Sequence, residues 1–454
     1  MMISKKSRAV FLTAVASGTM LNPLNSSMIS LALHSIQHEF HLSFTTVSWL
    51  ISSFYLASAV AQPVTGKLGD LIGRKRLFLF GLILVAVSAI GAPFAPTFMT
   101  LLIMRLFQSV GSSAIYPSGV GLIRSHIHER RQASALAVLS IFASAMTALG
   151  PTVGGFLIVW GGWPAIFIVN LPFIILSFFL GMYMFPKDQK KGAGIKTIIR
   201  QLDILGIVLF AGGIILLLSF LLSFSTSPHA VEGVLGVLLL GAFVWRELKT
   251  EKPFIDVRLF KTQRNLSAVY VQFILLNVFF YCLFFGLPSY FQDEMHLSVQ
   301  TSGLFMLFMS GMSIVVSPIT GKWIDRSGVV KPIFAGALLM TAGAVLLTIF
   351  FIDAQVIGKG FILSILGIGY GLGNVALQAA MLKTSPSNMV GTTSGLFQTC
   401  RYLGSILSSV ILGILFGKEI TAAHFDMMGI IMIIAAGASL LMAVRFAALM
   451  KTAS

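Results

Sequence analysis

Residues 132–186 pass without a single charged side chain. A helix crosses a bilayer with about 20 mostly apolar residues. The run is therefore too long for one crossing and too apolar to surround a water-soluble core, so it must turn back inside lipid. The rest of the chain has the same texture. Only 10% of the 454 residues are charged, 56% are hydrophobic and the mean hydropathy is +0.93. Ordinary soluble domains carry about 25% charge. These values exclude a soluble globular protein, a disordered chain and a collagen-like repeat. Cys282 and Cys400 are the only cysteines, and both lie in apolar runs. They make no disulfide framework and act as small hydrophobes.

Apolar runs bounded by charges, Gly or Pro predict an all-α integral membrane fold of fourteen spans. The spans cover residues 9–33, 42–66, 77–92, 97–123, two segments within 132–186, 204–227, 229–245, 266–291, 297–321, 332–352, 360–382, 390–416 and 427–444. Pro93 and Pro96 divide spans 3 and 4, and Gly161, Gly162 and Pro164 divide spans 5 and 6. Lys5, Lys6 and Arg8 precede span 1 as in a signal peptide. A cleavage site at Ala14 and Ala16 would leave too short an apolar region, so span 1 reads as an uncleaved anchor.

The net charge of +16 first suggests a nucleic-acid binder, but its placement argues otherwise. With the N-terminus inside, 27 of the 31 Lys and Arg fall in inner loops and tails. Lys359 and Lys418 fall in outer loops, and Arg105 and Arg401 lie within spans. Cytoplasmic loops are enriched in Lys and Arg specifically. The pattern predicts a multi-pass protein of the cell membrane with both termini cytoplasmic. No basic stripe faces a soluble groove, so nucleic acid is not an expected partner. The eight histidines lack metal-ligand spacing, so no metal site is expected.

A repeat organises the chain. Gly66-Lys67-Leu68-Gly69-Asp70-Leu71-Ile72-Gly73-Arg74 closes span 2, and Gly321-Lys322-Trp323-Ile324-Asp325-Arg326-Ser327-Gly328 closes span 10. Both read Gly-Lys-x-x-Asp-x-x-Gly, at an offset of 255. Transporters are often built from such internal repeats. Spans 9–14 thus repeat spans 1–6. Residues 1–186 are expected to form an N-terminal six-helix bundle, 187–264 a linker with two additional membrane helices, and 265–454 a C-terminal six-helix bundle.

The span 2 motif resembles the signature loop of the major facilitator superfamily. Gly150-Pro151-Thr152-Val153-Gly154-Gly155 is similar to its antiporter motif, and residues 101–113, with Arg105, Gln108 and Gly111, to its span 4 motif. Ser109 stands where Gly is usual. WPAIFIVNLP (163–172) and PFIDVRLF (253–260) resemble stretches of the fourteen-span drug:proton antiporter branch. The resemblance covers nearly the whole chain. It implies a major facilitator fold of two six-helix bundles plus an inserted helix pair. It also implies that Gly66, Asp70, Gly73, Arg74, Gly321, Asp325 and Gly328 form gating loops. Gly150, Pro151, Gly154 and Gly155 would form a gate against leak.

Physical chemistry supplies reasons for these residue types. Gly66 and Gly73 permit a tight turn. Asp70 either pairs with Arg74, four residues on, or caps the positive N-terminus of a neighbouring helix. The competing reading makes the basic residues of the loop mere inner-leaflet anchors. Gly150-Pro151 predicts a kink, and Gly154 and Gly155 predict close packing against another helix. A mid-membrane Arg105 either faces the bundle interior or snorkels to an interface. Gln398, Arg401, Tyr402 and Ser405 make one helical face.

Span 1 departs from the family. Its signature, Leu24 to His34, resembles that of the branch, whose usual members carry Asp where Asn25 stands and Pro where His34 stands. An Asp there can bind a proton or a cationic drug; an Asn cannot titrate but still donates and accepts hydrogen bonds. Asp203, Glu232, Asp293, Glu294, Asp353 and Asp426 all fall near span ends, so no central acid replaces it. Coupling and cavity candidates are Asn25, Arg105, Gln108, Gln272, Asn277, Asn374, Gln378 and Arg401.

The expected function is a secondary transporter, not an enzyme, that exports small organic molecules or drugs by proton exchange with alternating access. No nucleotide-binding motif suggests ATP drive. An ion gradient takes the place of a cofactor, and the partners are the bilayer and a small-molecule substrate, with a monomer as the working unit. Two alternatives stand beside it. Asn25 with Arg105 and Arg401 suits a facilitator or exchanger of an anionic or neutral metabolite. A transporter scaffold can also serve as a non-transporting membrane sensor.

Overall fold

The computed structural model describes residues 5–42, 44–47, 49–188, 202–223, 229–251, 253–416 and 420–452. Lys418, assigned above to an outer loop, lies outside them, as do Lys190, Lys191, Lys196, Arg200 and Lys252 of the inner-loop tally. Among the described residues all regular structure is helical. In chain order the helices are α1 (Lys5–Thr19), α2 (Leu21–Glu39), α3 (Phe44–Val47), α4 (Trp49–Ile72), α5 (Arg74–Gly91), α6 (Phe98–His126), α7 (Gln132–Gly161), α8 (Ala165–Ile168) and α9 (Asn170–Met184). There follow α10 (Ile204–Ser223), α11 (Ala230–Lys249), α12 (Arg258–Thr262), α13 (Arg264–Asp293), α14 (Val299–Ser327), α15 (Val330–Phe350), α16 (Val356–Thr384), α17 (Val390–Phe416) and α18 (Ala422–Thr452).

Ten helical segments among the described residues are long and apolar enough to cross a membrane: α5, α6, α8 with α9, α10 and α13 to α18. The fourteen expected spans include four more segments. Two of these are helical but charged or polar. α4 carries Gln62, Lys67 and Asp70, and α11 carries Glu232, Arg246, Glu247 and Lys249. α7 is a single 30-residue helix. The first expected span is two helices, broken at Met20. Pro23 explains the break: it has no N–H to give the carbonyl four residues back, and its ring crowds that carbonyl.

The turns follow the local sequence. α5 gives way to a short 3-10 turn, Ala92–Phe94, at the prolines, and Thr97 Oγ1 caps α6 by accepting from the Thr100 amide at 3.2 Å. α7 ends at Gly161, and Gly162 takes φ +67° before Pro164. Gly73 and Gly328, equivalent positions of the repeat, take φ +114° and +81°. Only glycine adopts that region without strain. The backbone thus repeats where the sequence repeats.

The chain divides into two compact units. The first comprises Met1–Val208, Thr250–Ile255 and Ser385–Thr399; the second comprises Leu209–Lys249, Asp256–Thr384 and Cys400–Ser454. The first turns of α17 thus belong to the first unit. Within that unit, Leu24, Met28, Ile29, Leu50, Leu101, Trp163 and Phe167 share a buried core. Trp163 Nε1 donates to the Glu39 carboxylate beside it. Large apolar side chains lie bare on the outside, such as Trp160 (90% exposed) and Ile357 (86%). Water-soluble monomers rarely expose apolar surface on this scale.

Candidate functional site

Arg105 sits on the face of α6 that carries Leu101, Gln108, Ser109 and Ser112, all buried. Its side chain is 1% exposed, so it does not snorkel. Nε donates to the Leu50 carbonyl of α4 at 3.3 Å and Nη2 to the Asn25 carbonyl of α2 at 3.2 Å. Nη1 donates to Gln108 Oε1. The Phe54 ring lies 4.1 Å from the guanidinium carbon. An arginine at mid-membrane costs about 2.5–3.5 kcal/mol on insertion scales. Three hydrogen bonds and the cation–π contact offset that cost. None of them brings a negative charge.

Asn25 is 3% exposed. Its Oδ1 accepts from Asn170 Nδ2 at 2.9 Å, and that nitrogen also donates to the Ile166 and Phe167 carbonyls. Asn170 lies within the quoted 163–172 stretch, yet sequence reasoning did not single it out. The polar seam continues along α4 and α6. Ser58 and Ser109 pair at 2.8 Å, Ser109 Oγ donates to the Phe54 carbonyl, and Thr65 Oγ1 donates to the Ser113 carbonyl.

Asp70 does both things the sequence allowed. Arg74 Nη2 reaches its Oδ1 at 3.1 Å. The same carboxylate caps α17, accepting from the Gly391 amide at 3.1 Å, the Thr392 amide at 3.0 Å and Thr392 Oγ1 at 3.3 Å. The first amides of a helix have no partner within it, and the helix dipole favours an anion there. Glycines make the approach close. A Cβ on Gly66 would fall 3.0 Å from the Thr392 nitrogen and nearer still to the Gly391 carbonyl, and one on Gly395 would fall 2.7 Å from Pro63 Cα. Lys67 Nζ donates to the Pro253 carbonyl at 3.1 Å, and Arg74 Nη1 to the Gly121 carbonyl at 2.6 Å. Their side chains are thus held by protein, beyond what lipid anchoring requires.

Asp188 is a second residue that sequence reading missed. It lies after α9 and accepts from the Lys75 and Arg76 amides at 3.1 and 3.0 Å. Gly73, at the N-cap position of α5, has no side chain to cap with, and Asp188 supplies the cap. A Cβ on Gly73 would meet the Asp188 carboxylate.

In α7, a Cβ on Gly150 would strike the Ser27 hydroxyl of α2, and one on Gly154 would sit 3.2 Å from Met28 Cβ. Ser27 Oγ also donates to the Met146 carbonyl at 3.2 Å. Gly155 differs from expectation: nothing lies within 4 Å of where its Cβ would be. It is one residue round the helix from Gly154 and faces away from α2. Pro151 falls within α7, and its side chain lies outside the described residues, as does that of His34.

The second unit holds the remaining candidates. Gln272 Nε2 donates to the Ser439 carbonyl and hydroxyl, tying α13 to α18. Asn277 Nδ2 donates to the Phe273 carbonyl at 2.7 Å. Asn374 and Gln378 are buried one turn apart on α16. Arg401 is half-buried on α17, its guanidinium carbon 5.8 Å from the Phe273 ring centre. Gly321 is buried near the end of α14, Asp325 is half-buried, and Gly328 ends the helix by donating to the Ile324 carbonyl at 2.8 Å.

The family model of the Major Facilitator Superfamily matches residues 15–409. The chain belongs to the major facilitator superfamily. The uncharacterized MFS-type transporter YwoD of Bacillus subtilis is 96% identical over 453 residues, covering 100% of both chains. The tetracenomycin C resistance and export protein of Streptomyces glaucescens is 28% identical over 414 residues, 90% of this chain and 76% of that one. The solved structure of the proton:xylose symporter XylE, also of this superfamily, matches at a TM-score of 0.66 and 13% identity, over 95% of this chain and 94% of that one. The chain is accordingly an MFS-type transporter of an all-helical, multi-pass membrane fold.

Proposed function

We propose that this MFS-type transporter is a secondary active exporter of small organic molecules, drugs among them, driven by exchange for protons with alternating access. It has fourteen spans in the cell membrane with both termini cytoplasmic. α1 with α2, α4, α7 and α11 add four to the ten clear crossings. α4, with 24 residues, measures about 36 Å at 1.5 Å per residue, enough for a hydrocarbon core of about 30 Å. The observation that carries the reading is the Asp70 cap on α17. It joins residues 321 and 322 positions apart through hydrogen bonds, which can break and re-form in a transport cycle. The tetracenomycin relative, an export protein by name, supports the direction of transport. One proton moving inward gains about 2.3 kcal/mol per 100 mV of membrane potential.

A substrate screen in a strain lacking its own pumps tests the export reading. Expression is expected to lower the accumulation of at least one drug class and raise resistance to it. No change in accumulation for any compound would favour a non-transporting sensor.

A further inference from the structure

We propose that the corner where α2, α4, α6 and α9 meet in the first unit is a binding site for a small anionic group, a carboxylate or a halide ion. Asn170 Nδ2 faces two main-chain carbonyls, which only accept, so that atom is the nitrogen. The Asn25 atom it meets is therefore the oxygen. A guanidinium only donates, so the Gln108 atom facing Arg105 is also an oxygen. Hydrogen-bond logic thus fixes both amides.

What remains is a surplus of donors. Asn25 Nδ2 and Gln108 Nε2 are buried and have no acceptor. Three of the five guanidinium N–H of Arg105 are used, by two main-chain carbonyls and Gln108. Asn170 Oδ1 is the neighbouring acceptor without a donor. It can take one N–H from Asn25. The other N–H of Asn25 and both of Gln108 still lack acceptors. The side chains of Asn25, Gln108 and Arg105 are 3%, 0% and 1% exposed. Buried donors without acceptors are costly, and a buried charge without a counter-charge more so. Among the described residues no carboxylate lies within ion-pair distance of Arg105.

Donor surplus and net positive charge call for the same occupant. A water molecule accepts hydrogen bonds but brings no charge. An anion meets both needs, and a carboxylate has about four lone-pair sites for the donors. The departure in span 1 gives the same result from sequence. An Asp at position 25 would bring a carboxylate beside the main-chain carbonyl that already meets Arg105. With Asn25 in its place the corner is short by one negative charge, which an anion from outside restores. The carboxylate of a transported organic acid and a resident inorganic ion share this chemistry. The first source rests on the transport reading above; the second does not.

The test uses the full-length purified protein in lipid nanodiscs. Thermal unfolding is followed by tryptophan fluorescence while sodium chloride, acetate or benzoate is titrated at fixed ionic strength and pH. Wild type and Asn25→Asp are compared, so that general salt effects cancel in the difference. The wild-type Tm is expected to rise saturably. In Asn25→Asp, which carries its own carboxylate, apparent affinity should fall at least tenfold, equivalent to about 1.4 kcal/mol. Saturation with chloride identifies a resident inorganic ion; saturation with carboxylates alone identifies a substrate group. A flat wild-type response, or equal responses from the two proteins, overturns the proposal. If Asn25→Asp does not fold, Gln108→Glu supplies the charge from α6 and is read in the same way. The readout needs no transport. A protein that binds anions yet moves nothing overturns the export reading and leaves this one standing.

Discussion

Removing the Asp70 carboxylate should unprotect the start of α17. The Gly391 and Thr392 amides stand in the first turn, where a helix offers no internal acceptor. Their partner is Asp70, whose side chain is 5% exposed. A hydrogen bond to a charged group contributes about 1.5–3 kcal/mol. At 1.4 kcal/mol per decade, Asp70→Ala should speed amide exchange at these two positions by about ten- to a hundredfold. Asp70→Asn keeps one acceptor without the charge and should fall between wild type and Asp70→Ala. Hydrogen–deuterium exchange with mass spectrometry reads this from peptides covering residues 386–394, with peptides from α13 and α16 as internal references. Exchange in Asp70→Ala within about twofold of wild type would mean that the cap holds nothing.

Three further substitutions follow from the geometry. Gly73→Ala puts a Cβ at φ +114° and against Asp188, and should cost at least about 1–2 kcal/mol, read as a lower Tm. Asp188→Ala leaves the Lys75 and Arg76 amides uncapped and should cost about 0.5–2 kcal/mol in the same melt. Gly150→Leu forces α7 off Ser27 and should collapse export while membrane insertion stays intact, whereas Gly155→Ala, with nothing near its Cβ, should leave export unchanged. Equal effects of these last two substitutions would contradict the packing argument.

Much of the fold was legible in the sequence because bilayers impose coarse rules. Charge-free runs mark helices, and paired Gly and Pro mark turns, so the breaks at Pro93, Pro96 and Gly161 fall where expected. The repeat was legible too, down to the left-handed glycines at 73 and 328. The break at Met20 was not, because Pro23 acts on the carbonyl of an earlier residue and leaves the hydropathy of the run unchanged. α4 and α11 are mixed helices, with Gln62 and Glu247 buried among their apolar residues. Arg105 announced itself as a charge inside an apolar run. Its neighbours did not: Asn170 contacts Asn25 across 145 positions, and Asp188 caps a helix 112 and 113 positions upstream. Gly154 and Gly155 look alike in sequence, and only the direction of α2 separates them.

Proton-coupled export is tested in a reconstituted membrane. Purified protein in proteoliposomes is loaded with a compound that the resistance screen has identified. A pH gradient is then imposed in either direction, with the membrane potential clamped. Substrate is expected to move against the imposed proton flux, to reverse when the gradient is reversed, and to stop when a protonophore collapses it. Substrate movement that is indifferent to the gradient would contradict proton antiport and identify the protein as a facilitator.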